Sequence, residues 1–180
     1  METAHFGGSP EGGMNRLTLS DADRDVRDWF VRECTVLGCS ITVDEVGNIF
    51  ARRAGSDNSR APIAFGSHLD TQPSGGKFDG IAGVLSGLEL LRTLEDNHFV
   101  TNAPLEVINW TNEEGSRFAP TMIASGAFAG IFTTEFAHAS TDRQGLTFGE
   151  ELERIGYRGK AKAGDHALGA YFELHIEQGP

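Results

Sequence analysis

The chain has 180 residues, with 26 acidic against 15 basic side chains and a formal charge of −11. That length suits one domain or one generous lobe with a real core, and the acidic balance argues against a nucleic-acid or anionic-membrane surface. No apolar run could span a bilayer, no signal-peptide pattern opens the chain, and Cys34 and Cys39 lack metal-like spacing, so a reduced, cytoplasmic protein is expected.

Residues 1–13, METAHFGGSPEGG, are small, polar and glycine-rich, and read as a flexible or loosely docked lead-in to a unit spanning 14–180. Leu19 to Leu37 is helical in pattern, with Ser20 or Asp21 as cap, Val26, Trp29, Phe30, Val36 and Leu37 on one face, and Gly38 as the stop. Ile41–Val43 and Asn48–Arg52 read as two strands of a hairpin turning at Val46-Gly47. A polar loop to Arg60 leads into an extended run from Ala61 that ends at Ser67-His68-Leu69-Asp70. Ile81 to Leu94 is a helix, with Val84, Leu85, Leu88, Leu91 and Leu94 as its stripe and Gly83 and Gly87 allowing close packing on a sheet. Leu105 to Thr111 alternates like a strand. Thr121 to Phe132 suggests a short helix and turn, 137–145 a polar loop, Phe148 to Ile155 a helix, and Ala170 to Glu177 a last strand. The order of elements predicts an α/β fold, a mixed sheet flanked by helices.

Three of these strands end in polar clusters: His68-Leu69-Asp70, Asn112-Glu113-Glu114 and His175-Ile176-Glu177. Ligand sites in open α/β sheets gather outside the carboxyl ends of strands, so the three ends could face one cleft. His68 and Asp70, two apart, share a face if they close a strand. The imidazole could then bind a metal while the carboxylate holds its other N–H. Asp79 sits at a strand-to-helix junction within reach of the same metal. The clusters offer imidazole and carboxylate without thiolate, which suits zinc, manganese, cobalt or nickel in hydrolytic chemistry. Of two adjacent glutamates, one can ligate while its neighbour acts as general base. Each signal has an ordinary reading too: Asp79 as a helix N-cap, Glu113-Glu114 as a solvated pair, His175 as a half-buried strand residue. His5, His98, His138 and His166, without such clusters, read as surface or loop residues. The case rests on the conjunction.

The blocks GSHLDTQPSGGKFDGIAGVLSGLELLRTL, NWTNEEGSRFAPTMIASGAFAG and FELHIEQGP closely resemble the amidase and carbamoylase branch of the metal-dependent aminoacylase/carboxypeptidase superfamily. That branch includes N-carbamoyl-L-amino-acid hydrolases, yeast-type beta-ureidopropionases and allantoate amidohydrolases, and the resemblance runs from about Gly12 to Pro180. It implies a zinc-peptidase-like catalytic domain acting on a small ureido or amide substrate. It also implies two divalent ions: His68 and His175 on one, Glu114 on the other, Asp79 bridging. Asp70 would orient His68, Glu113 would be the general base, and Gln178 would meet substrate. Relatives continue into a lid domain that dimerises and back into the catalytic domain, supplying a further histidine ligand and a substrate-gripping arginine. Neither has a candidate here, so the chain is expected to be a truncated form without the lid.

Overall fold

Ser20 starts the first helix. Its hydroxyl accepts the Asp23 N–H at 3.2 Å, and α1 runs Asp21–Val36 before Gly38, at φ +75°, turns the chain away. Val26, Trp29, Phe30 and Cys34 form the buried face, whereas Val36, expected there, is exposed. The computed structural model describes residues 2–10 and 12–178. Met1 and Glu11 of the expected lead-in, and Gly179 and Pro180 of the closing block, lie outside the described residues.

β1 (Ser40–Val43) and β2 (Ile49–Arg53) pair antiparallel, with Gly47 at φ +84° in their turn, a conformation that favours glycine. β3 (Ile63–His68), α2 (Ile81–Asp96) and β4 (Leu105–Trp110) follow, β4 lying parallel to β3. The last strand, β5 (Ala170–Phe172), joins the other side of β3, also parallel. The five-stranded sheet has the order β1-β2-β4-β3-β5, with β2 antiparallel to β4, so the expected mixed sheet is present. Because β3, β4 and β5 point the same way, their carboxyl ends share one edge. That parallelism positions the site.

Alternation along the strands divides the core. Ile49, Ala51 and Val107 pack with Val26 and Phe30 of α1 and Val84, Leu88 and Leu91 of α2. Phe50, Ala64, Ile108 and Trp110 face the other way, against Phe128, Leu168 and Tyr171. Among the described residues no helix is long and apolar enough to cross a membrane.

The short helix and turn expected over 121–132 are present as α3 (Ile123–Phe128) and its flanking turns. Several elements differ from expectation. A further helix, α4 (Thr134–Ala139), occupies the start of the expected loop, because the Thr133 hydroxyl accepts the Phe136 N–H and caps it. The expected eight-residue final strand pairs over only three residues, and the chain from Glu173 continues without ladder partners. The described part of the lead-in is docked: a short 3₁₀ helix, Glu2–His5, places the Thr3 and Phe6 carbonyls on the buried guanidinium of Arg16. Met14 then bridges to Gly75 beside the site loop.

α5 (Phe148–Arg154) opens with a capping box between Thr147 and Glu150. Its Glu151, nearly buried, accepts from Arg117 Nη2 at 2.7 Å and Arg154 Nε at 2.8 Å. Burial pushes this carboxyl up, but the two guanidiniums outweigh it and hold the group below its ordinary 4.5. A carboxyl so held gives its full stabilisation above its unfolded value and loses it as pH falls through the lower folded value. Glu151→Gln is therefore expected to cost about 1–3 kcal/mol in urea unfolding at pH 7. The gap from the parent should shrink as pH falls below about 4.5; an equal gap at every pH would assign the effect to packing.

Candidate metal centre

His68, the last residue of β3, is fully buried. Its Nδ1 lies 2.9 Å from the Asp70 carbonyl oxygen. A carbonyl only accepts, so Nδ1 carries the proton and Nε2 presents its lone pair to the cleft. Around Nε2 stand His175 Nε2 at 3.4 Å, Glu113 Oε2 at 3.4 Å and Asp79 Oδ1 at 3.7 Å. His175 Nε2 is itself 3.4 Å from Asp79 Oδ1. Two groups result, His68–Asp79–His175 and His68–Glu113–Glu114, the potential ligand atoms of each lying within 4.8 Å of one another. The three strand ends do meet in one cleft.

Asp70 differs from expectation in one respect. Its backbone carbonyl, not its carboxylate, holds the imidazole; the nearer carboxylate oxygen is 3.7 Å from Nδ1. The carboxylate accepts instead from the Glu113 and Glu114 N–H groups, each at 3.3 Å, and so fastens the loop after β4 to the end of β3. Burial pushes the Asp70 carboxyl up to about 6, partly offset by His68. For His68, burial pulls downward, but Asp70 and Glu113 outweigh it and leave the imidazole above its ordinary 6.5.

Asp79 is not the cap of α2. Gly80, at φ +63°, occupies that position without a side-chain cap, which frees the Asp79 carboxylate for the cleft. A Cβ on Gly80 would fall onto the His68 ring. Gly80→Ala is thus expected to destabilise the fold by about 1–3 kcal/mol through the left-handed backbone alone. It should also displace His68, lowering metal uptake measured by elemental analysis. Unchanged uptake would mean that the ring moves aside harmlessly.

Gln178, the residue expected to meet substrate, accepts the Phe78 N–H on its side-chain carbonyl at 2.9 Å. Its own N–H donates to Asp79 Oδ2 at 2.8 Å, so it ties the segment carrying His175 to the loop carrying Asp79. Arg16 was not anticipated from sequence. Buried beneath the site, it donates from Nε to the Leu69 carbonyl at 2.6 Å, and its N–H reaches Thr71 Oγ1 at 2.9 Å. An arginine beside Met14 carries no periodic or motif signal that would mark it. His166, read as a surface or loop residue, lies in a loop, where it pairs with the buried Glu106 at 2.6 Å and packs on Phe50, away from the cleft.

The donor set fits a divalent cation. Glu114 Oε1 is buried without a hydrogen-bond partner, an arrangement that is costly unless a cation completes it. Burial also pushes the Glu114 carboxyl up to about 7, as desolvation of an uncompensated charge demands. Nitrogen and oxygen donors without thiolate suit zinc, manganese, cobalt or nickel.

Fold and cleft together define an α/β protein with an imidazole–carboxylate centre at the carboxyl ends of parallel strands. The chain belongs to the peptidase family M20/M25/M40, whose pattern matches residues 64–180. It is 53% identical over 180 residues to an N-carbamoyl-L-amino-acid amidohydrolase of Rhizobium meliloti, covering 100% of this chain and 43% of that protein. It is 34% identical to an allantoate amidohydrolase of Bacillus subtilis, covering 98% of this chain and 43% of that one. Its backbone matches a crystal structure of a hydantoinase/carbamoylase family amidase from Burkholderia multivorans with a TM-score of 0.96 and 55% identity, over 98% of this chain and 43% of that chain. The expected resemblance to the amidase and carbamoylase branch is borne out. The chain spans less than half the length of these relatives.

Proposed function

We propose that this chain carries the metal-binding cleft of an amidohydrolase that cleaves linear C–N bonds, with N-carbamoyl amino acids as its substrate class. The convergence of His68, Asp79 and His175, with both glutamates on the same imidazole, is the main support. The 53% identity to a carbamoyl-amino-acid amidohydrolase favours that substrate class over allantoate. In this reading His68 and His175 would hold one ion and Glu114 a second, with Asp79 available to both. A bound divalent ion would supply positive charge that polarises a carbonyl and acidifies water. Glu113, 25% exposed and open to the cleft, takes a proton from water and returns it to the leaving nitrogen. Asp70 keeps the two glutamates in place through their N–H groups. A cytoplasmic setting, and dimerisation through the further length that relatives possess, belong to the same proposal.

The test is metal content together with hydrolysis of an N-carbamoyl-L-amino acid, N-carbamoyl-beta-alanine, allantoate and a dipeptide. It is run on the 180-residue chain and, where the gene reads on, on the extended chain. Ureido hydrolysis abolished by a chelator and restored by metal is expected. Turnover of allantoate alone would assign the sibling activity, and turnover of the dipeptide alone would sink the proposal. Metal uptake without any turnover would make the chain a binding remnant.

A further inference from the structure

The β3–β5 ladder stops early. Its partners are Ile63 with Ala170, Ala64 with Tyr171 and Phe65 with Phe172, a constant offset of 107 residues. His68 and His175 have the same offset and sit with their Nε2 atoms 3.4 Å apart. His175 therefore arrives where an unbroken ladder would deliver it, although Glu173 to His175 form no ladder pairs. Something other than backbone pairing keeps the register.

Side chains take over at the point where the ladder ends. Ser67 Oγ donates to Glu173 Oε1 at 2.6 Å, and Tyr171 Oη donates to Glu173 Oε2 at 2.8 Å. Trp110 Nε1 in turn donates to Tyr171 Oη at 2.9 Å. One carboxylate thus receives two short, charge-assisted bonds, the strong class of hydrogen bond. The chain joins β3 beside His68 to β4 just before the glutamate pair. On the other side of His175, the Gln178 N–H is held by Asp79. The histidine hangs between two carboxylate clamps, and only Asp79 belongs to the metal groups.

We infer that Glu173 is a positioning residue: its bonds to Ser67 and Tyr171 replace the missing ladder rungs and set His175 opposite His68 for metal binding. The inference rests on the metal-centre reading proposed above. Partners that orient metal ligands typically govern affinity by about 10–100-fold. Loss of the Glu173 clamp leaves His175 held on its N-terminal side only by the ladder that ends three residues earlier at Phe172. Ordering it must then come from the metal-binding free energy itself.

The experiment is a Co2+ titration of the 180-residue chain, followed by visible absorption, for the parent, Glu173→Ala, Glu173→Gln and His175→Ala. Glu173→Ala should weaken Co2+ binding about 10–100-fold, and its spectrum should shift toward that of His175→Ala. Glu173→Gln keeps an acceptor for one donor and should weaken binding about threefold to tenfold, between the parent and Glu173→Ala. Parent-like affinity and an unchanged spectrum in Glu173→Ala would overturn the inference. A parent that takes up no Co2+ would instead overturn the metal-centre reading, before any variant is compared. If far-UV circular dichroism shows Glu173→Ala unfolded, Ser67→Ala and Tyr171→Phe each remove a single donor. Each should then weaken binding about threefold to tenfold, and parent-like affinity in both would overturn the inference.

Discussion

Glu113→Gln is expected to lower turnover by about 10²–10⁴-fold while leaving metal content unchanged, the range spanned by general acid–base catalysis. The structure brings both glutamates to His68, so the choice between them rests on their surroundings. Glu114 has a buried oxygen without any partner, a site that a cation would complete. Glu113 has a side chain 25% exposed toward the cleft, where water can reach it. Glutamine has nearly the same shape but cannot take a proton at neutral pH, so it separates proton transfer from ligation. Elemental analysis and steady-state assays of the purified variant decide the matter, in whichever form of the chain turns over. Loss of metal on this substitution would exchange the roles of Glu113 and Glu114.

Arg27→Ala should be the most destabilising single change away from the cleft. Arg27 is fully buried on α1, donating from Nε to Asp23 Oδ2 at 2.8 Å, from Nη1 to the Gly47 carbonyl at 3.0 Å and from Nη2 to Thr111 Oγ1 at 3.0 Å. It thereby ties the first helix to the β1–β2 turn and to the end of β4, two residues before Glu113. Removing it strands the Asp23 carboxylate without its cation in a dry interior, which costs about 3–5 kcal/mol. Against a total stability of about 5–15 kcal/mol, that approaches unfolding at ordinary temperature. The double variant Asp23→Leu/Arg27→Met should recover part of the loss, because no charge is left unpaired. Urea unfolding of the three proteins measures it. A cost below about 1 kcal/mol for Arg27→Ala would show that water reaches the pair.

The helices with strong periodicity were legible because a long amphipathic stripe has few alternative explanations. α2 is the clearest, its Val84, Leu88 and Leu91 buried and its Gly87 against Val107. α4 was missed because six residues carry too little periodicity, and only Thr133 marks its start. The length of β5 was overestimated for a different reason. Alternation from Ala170 to Glu177 describes an extended chain, but whether that chain finds a ladder partner depends on the rest of the fold. Asp70 shows the same limit within the cleft: His-x-Asp spacing places both groups nearby, and cannot say whether carbonyl or carboxylate takes the imidazole N–H.

The mixed α/β class, the three polar strand ends and the identity of the residues that meet there can all be read from the chain alone. Those features follow from residue type and short spacing, which are written into the chain locally. The folded chain shows in addition that β3, β4 and β5 run parallel, bringing His68, Glu113, Glu114 and His175 to one edge. It alone revealed the buried Arg16 and Arg27, and the Glu173 link that carries His175 beyond its ladder. The reason is distance along the chain. Ser67 and Glu173 are 106 residues apart, and no local pattern records a hydrogen bond that exists only once the sheet has formed.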